Sequence, residues 1–208
     1  MTGTAPTVFI VDDDASVRRS LTRVVSAAGY RVHVFASAQE FLAREPTTGP
    51  CCLVLDVRMP GLNGLDLQKA LADAHHRAAI VFITGHGDVA TGVEAMKAGA
   101  VDFLTKPFAG KDLLDAIQRA LDRDTRALDT EARVDEILQR VKRLTPRETE
   151  VFALVVTGML NKQIAAAIGV GEGTVKVHRA RVMAKMHATS LAELVRLADA
   201  VGVIVPRT

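Results

Sequence analysis

Apolar positions along this chain fall into two regimes. Over the first 120 residues they come as short, nearly unbroken runs. Val8-Phe9-Ile10-Val11 ends at Asp12-Asp13-Asp14. Leu53-Val54-Leu55 ends at Asp56, with the turn Met59-Pro60-Gly61 just beyond. Ile80-Val81-Phe82-Ile83 ends at Thr84, and Val101 to Leu104 runs up to Lys106-Pro107. This spacing predicts strands near 7–11, 30–35, 51–55, 80–83 and 101–104, alternating with helices near 15–28, 37–44, 65–74, 88–98 and 111–122. A fivefold strand-helix alternation with short connections folds as a doubly wound parallel sheet with helices on both faces. Such a sheet binds its ligands beyond the carboxyl ends of the strands.

After residue 120 the period changes to that of helices. Residues 121–143 contain no glycine or proline, carry six basic and six acidic side chains, and space their apolar positions as an extended helix. The break in that spacing at Asp124-Thr125 argues against a continuous coiled coil. Leu144-Thr145-Pro146-Arg147-Glu148 reads as a helix start, with Thr145 as cap, Pro146 in the first turn and Glu148 completing a capping box. That helix stops at Gly158. A second runs from Asn161, a good cap, to Gly169. A turn at Val170 to Gly173 leads into a third over about Thr174 to Met186, and a fourth lies near Leu191 to Ala200. The expected organisation is an α/β domain over 1–121, a helical linker over 122–143 and an all-α domain over 144–208.

With 208 residues and 49% hydrophobic content the chain can build two packed cores. No apolar stretch is long enough for a membrane span, and the first seven residues have neither a basic start nor an apolar core, so a cytoplasmic protein is expected. Cys51 and Cys52 are adjacent in a strand and point to opposite faces, which makes a disulfide strained; both read as buried thiols. The net charge of +2 is uneven. Residues 1–120 sum to −1 and residues 144–208 to +3, a balance that suits a nucleic-acid contact in the C-terminal part.

The strand ends bring together acids, a hydroxyl and an ammonium. Asp56 can attack phosphorus once a hard divalent cation offsets the donor's negative oxygens. Asp13, Asp56 and the backbone carbonyl of Arg58 are natural ligands for magnesium, or manganese, with water completing the shell. Lys106 would balance phosphoryl charge and Thr84 would bond a phosphoryl oxygen. Each residue alone has a plainer reading, since Asp12 or Asp14 also suits a helix cap. An independent phosphatase with an aspartate nucleophile would need an acid two residues after Asp56; Arg58 stands there, so an enzyme in its own right is not expected. In the third helix of the C-terminal part, Val175, Val182 and Met186 share one side. Lys176, Val177, Ala180, Arg181 and Ala184 face the other, as a helix entering a major groove requires. Arg179 lies nearer the core side and suits a phosphate.

On these residues, the stretch from Val8 to about Leu121 resembles the CheY-like receiver domain of two-component response regulators, which has a flavodoxin-like fold. The resemblance implies Asp56 as phosphoacceptor, Asp13, Asp56 and the Arg58 carbonyl as metal ligands, and Asp12 as an acidic pocket partner acting through water. It also implies Thr84, Phe103 and Lys106 as switch residues. Leu144 to about Ala200, with LTPRE, NKQIA and TVKVHR, resembles the LuxR-type helix-turn-helix of the FixJ/NarL response regulators, closest in look to FixJ-like regulators, including those of aromatic-hydrocarbon degradation. Lys176 and Val177 are then implied as base readers and Lys162, Thr174, His178 and Arg179 as backbone contacts, with Arg181 on the same exposed face. The implied partners are a sensor histidine kinase, promoter double-stranded DNA, RNA polymerase and a second copy of the chain upon phosphorylation. Gly171 stands where the family often has serine, so the third helix is expected to lack a hydroxyl cap.

Overall fold

The structure, a computed structural model, describes residues 6–74, 79–85 and 89–202. The expected helix start at residue 88 and the chain ends at 1–5 and 203–208 lie outside them. The chain divides into two compact units, 1–128 and 129–208.

The first unit holds five parallel strands: β1 (Thr7–Val11), β2 (Arg31–Phe35), β3 (Cys51–Asp56), β4 (Ala79–Thr84) and β5 (Asp102–Thr105), in the order β2-β1-β3-β4-β5. Between them run α1 (Ala15–Ala27), α2 (Ala38–Leu42), α3 (Gly64–Asp73) and α4 (Val89–Lys97), followed by α5 (Gly110–Lys142), within which the boundary between the units falls.

The period-two geometry of a strand explains how unbroken apolar runs serve both faces. Val8, Ile10, Cys52, Val54, Val81 and Ile83 point to one side, where Leu21 and Val25 of α1 and Leu113, Ala116 and Ile117 of α5 cover them. Phe9, Val11, Leu53, Leu55 and Phe82 point to the other and meet Phe41 of α2, Leu67 and Leu71 of α3 and Ala95 of α4. Burying each such Leu, Ile or Phe stabilises the fold by about 1.5–3 kcal/mol relative to exposure.

The register carries the polar strand ends to one edge: Asp56 lies opposite Ile83, and Thr84 opposite Thr105. Of the two cysteines, Cys52 is fully buried, and burial pushes its thiol up; Cys51 is only half-buried, contrary to the expectation that both are enclosed. Cys51 starts the strand at the sheet's amino edge. Partial burial and then the neighbouring Asp124 carboxylate push its thiol up to about 11. Asp124 and Thr125 do not break the helix. Asp124 is buried and accepts the Cys51 N–H at 2.9 Å, and Thr125 Oγ1 donates back to the Leu121 carbonyl at 2.8 Å.

The second unit packs α6 (Pro146–Val156), α7 (Asn161–Ile168), α8 (Glu172–Met186) and α9 (Leu191–Ala200) around Val151, Phe152, Val155, Ile164, Val175, Val182, Met186 and Leu194. The capping box forms: Thr145 Oγ1 accepts the Glu148 N–H at 3.3 Å, and Glu148 Oε2 accepts the Thr145 N–H at 2.8 Å. Two boundaries differ from the sequence expectation. Asn161 is the first helical residue of α7 rather than its cap, because Gln163 reaches back to accept the Leu160 N–H at 2.8 Å. Gly169, at φ 68°, turns the chain in the left-handed region, and α8 therefore starts at Glu172, two residues before Thr174. Gly171 caps α8 with no side-chain bond.

Candidate functional site

The carboxyl edge of the sheet gathers Asp12, Asp56, Thr84 and Lys106. Asp12 and Thr84 are 1% exposed and Asp56 is 6% exposed. Lys106 follows β5, and its N–H donates to the Thr84 carbonyl at 2.7 Å, which fixes where its side chain starts. From there Nζ lies 2.8 Å from Asp12 Oδ2 and 2.8 Å from Asp56 Oδ1, so a single ammonium serves two carboxylates. Their other oxygens are held by backbone. Asp12 Oδ1 accepts the Asp14 N–H at 2.8 Å, and Asp56 Oδ2 accepts the Arg58 N–H at 2.7 Å.

Burial pushes the Asp56 carboxyl above its ordinary pKa. The Lys106 bond works against that shift and the Asp12 charge adds to it. Burial alone would lower Lys106, but its bonds to Asp12 and Asp56 more than reverse this and hold the ammonium above its ordinary value. Asp14, in contrast, caps α1 through the Ser16 and Val17 N–H groups, and those bonds hold its carboxyl below the usual range.

Asp13 is exposed. It lines, with Arg58, Met59, Pro60, Asn63 and Thr91, an open pocket of about 510 Å³. The Phe103 ring is directed elsewhere. It lies 6.4 Å from the Phe82 ring and lines an apolar pocket with Val89, Gly92, Val93 and Met96 of α4. Among the described residues, no group of three or more His, Cys, Asp and Glu side chains is arranged to hold a metal ion. The acids expected as ligands, Asp13 and Asp56, offer hard carboxylate oxygens. That set fits a cation that keeps several of its own waters.

Two supports of the site escaped the sequence reading. Arg18 Nη1 donates to the Asp12 carbonyl at 2.5 Å, one turn into α1. Gly64 opens α3 where a Cβ would collide with the Asp56 backbone carbonyl and come within 3.1 Å of the Phe82 ring. Its N–H donates to the Val57 carbonyl at 3.0 Å, closing the loop after Asp56 on itself. The adjacent Asn63-Gly64 pair was the available signal, a turn dipeptide three residues past Pro60.

In the second unit Val175, Val182 and Met186 of α8 are fully buried, and Lys176, Val177, Ala180, Arg181 and Ala184 are all exposed. Thr174 and Lys162 are exposed as well. Lys176 Nζ lies 3.5 Å from Glu172 Oε1, one turn earlier. His178 is half-buried, its Nδ1 buried without a hydrogen-bond partner, and half-buried Arg179 donates from Nη1 to Asn161 Oδ1 at 3.1 Å. Below this surface Lys185 Nζ, 2.6 Å from Glu148 Oε2 and 3.1 Å from the Arg143 carbonyl, ties α8 to the start of α6. Glu148 is 2% exposed. Its bond to Lys185, and then the Thr145 N–H, hold its carboxyl at about 2. No helix among the described residues is long and apolar enough to cross a membrane.

Comparison with known proteins accounts for both units. Residues 8–118 match the response regulator receiver domain family, and residues 142–198 match the bacterial regulatory proteins of the luxR family. Nodulation protein W of Bradyrhizobium diazoefficiens is 48% identical over 196 residues, covering 94% of this chain and 86% of that protein. The transcriptional regulatory protein FixJ of the same organism is 44% identical over 197 residues, covering 95% and 96%. Among solved structures, the response regulator StyR superposes with a TM-score of 0.82 at 45% identity, covering 94% of this chain and 99% of that one. With matches of this extent across both units, the chain belongs to the two-component response regulators that join a receiver domain to a LuxR-type DNA-binding domain.

Proposed function

We propose that a sensor histidine kinase phosphorylates Asp56 and that the phosphorylated chain dimerises and binds promoter DNA to regulate transcription. The observation that carries this is the buried Asp56 carboxylate at the sheet edge: burial raises it above its ordinary pKa, and the Lys106 ammonium that it shares with Asp12 offsets only part of that rise. Such a group is a ready nucleophile, and phosphorylation places new oxygens within reach of the same ammonium.

In the transfer, a carboxylate oxygen of Asp56 forms a bond to the phosphorus of a phosphohistidine. The nitrogen–phosphorus bond breaks, and its electron pair returns to the imidazole, which then takes a proton. Lys106 binds a phosphoryl oxygen, the Arg58 N–H steadies the carboxylate, and the Thr84 hydroxyl supplies a further bond. Asp13, Asp56 and the Arg58 carbonyl would hold magnesium or manganese, with Asp12 reaching it through water; when bound, the ion offsets charge between nucleophile and phosphoryl group. Phe103, against α4, reports the change at Thr84 to the surface. In the second unit Lys176 and Val177 read base edges, with Arg181 on the same face, and Lys162, Thr174, His178 and Arg179 hold the backbone. RNA polymerase is the downstream partner, and a cytoplasmic place follows from the DNA target.

Size measurement of the full chain with and without acetyl phosphate and magnesium tests the switch. The expected result is a doubling of mass that Asp56→Asn abolishes; equal masses throughout would sink it. For DNA, Lys176→Ala should lose sequence preference on a promoter fragment while keeping affinity for unrelated duplex. An unaltered preference would remove Lys176 from base reading.

A further inference from the structure

Arginine has a long, rotamer-rich side chain, and on an exposed helix it spends its entropy wandering. Arg179 does not have that freedom. It is half-buried between two helices, and its Nη1 donates to Asn161 Oδ1 at the start of α7, 18 positions earlier in sequence. The bond is neutral on the acceptor side. It therefore orients the guanidinium without cancelling its charge, and it uses one of five donors, leaving the others for a second acceptor. Two neighbouring cations are held by carboxylates instead. Lys176 is paired with the Glu172 carboxylate, whereas Arg147 is spent on Glu150 and on the Ile168 carbonyl.

We infer that Asn161 is a positioning residue for DNA binding: it holds Arg179 in the orientation that meets a backbone phosphate, so that the side chain is ordered before DNA arrives. This rests on the proposal that Arg179 contacts phosphate. It gives the Asn161 side chain a use other than capping, since Leu160 stands at the cap position and Asn161 Oδ1 is turned to Arg179. Removing the tether leaves the charge in place and returns the ordering cost to the binding step, which lowers affinity about fivefold.

The test uses the full chain treated with acetyl phosphate and magnesium and mixed-sequence duplex DNA, because a phosphate contact is independent of sequence, with fluorescence anisotropy followed over a salt titration. Asn161→Ala, Arg179→Ala and the double variant are compared, with thermal unfolding recorded for each. Arg179→Ala should weaken binding and flatten the salt dependence by about one counterion. Asn161→Ala should weaken binding in the native background and have no effect where Arg179 is already alanine. Asn161→Asp keeps an acceptor but adds a charge that neutralises Arg179 and repels phosphate directly, so it should weaken binding more than Asn161→Ala, and most at low salt. An equal loss from Asn161→Ala in both backgrounds would make the residue structural and overturn the inference, as would no loss in either. If Arg179→Ala itself left affinity and salt dependence unchanged, the phosphate contact would be wrong, and the positioning role would fall with it.

Discussion

Asp56 and Glu148 are both buried carboxylates bonded to a lysine, one in each unit, yet their protons are held in opposite ways. Glu148 shares the Lys185 ammonium with a neutral acceptor, the Arg143 carbonyl, rather than with a second acid, and it also accepts the Thr145 N–H; its carboxyl is held down at about 2. Asp56 shares the Lys106 ammonium with Asp12, and burial leaves its carboxyl above the ordinary range. The first arrangement is satisfied and stabilises a helix junction. In the second, burial outweighs the shared ammonium, an environment that suits the proposed phosphoacceptor. A buried acid–lysine pair therefore says little about function until both the desolvation of the acid and the number of acids per ammonium are known.

The largest effect should come from breaking the satisfied pair. Lys185→Met leaves Glu148 buried without its cation and should destabilise the second unit by about 2–3 kcal/mol, below the roughly 3–5 kcal/mol of a fully buried pair because Lys185 is partly exposed. Faster hydrogen exchange across α6 and α8 is the measurement, with the first unit unchanged. The pH dependence follows from the sign of the shift. A carboxyl held below its unfolded value contributes stability that is fully present above about pH 4.5 and is lost as pH falls towards about 2. Acid unfolding of the second unit should therefore begin in that window, and Glu148→Gln should flatten it.

Gly64→Ala should come next, costing the first unit about 2 kcal/mol because backbone rather than a flexible side chain must move. The displaced carbonyl belongs to Asp56, so the rate of phosphoryl adduct formation should fall as well. Normal stability with a normal rate would show that the loop yields freely.

Asp56→Asn should give the smallest effect, and of opposite sign. A carboxyl raised above its usual value means that the ionised form is worse off folded than unfolded. The cost is present at neutral pH and disappears as pH falls below the ordinary carboxylate range. Replacing the charge with an amide should therefore raise the unfolding midpoint of the first unit slightly. A lowered midpoint would place Asp56 in the same class as Glu148 and erase the contrast.

Much of this was legible from the chain. Unbroken apolar runs ending in Asp12, Asp56, Thr84 and Lys106 fixed the sheet edge, because strand periodicity and parallel connection leave those residues few other places to go. The buried and exposed sides of α8 followed from helical spacing alone. What stayed hidden depends on pairs far apart in sequence. Glu148 was visible as a capping-box residue, but its bond to Lys185, 37 positions away, has no local signature. Asn161 looked like a cap because asparagine is good at capping; Leu160 stands at that position instead, and Asn161 meets Arg179. Asp124-Thr125 looked like an interruption because polar residues broke an apolar stripe, whereas Asp124 is buried against the Cys51 N–H.

The most direct test of the contrast between the two acids is the intact mass of the full chain after exposure to acetyl phosphate and magnesium, with Asp56→Asn and Glu148→Gln alongside. One phosphoryl group should appear on the native chain and on Glu148→Gln and be absent from Asp56→Asn. An adduct that persists in Asp56→Asn, or none on the native chain, would contradict the assignment of Asp56 as the phosphoacceptor.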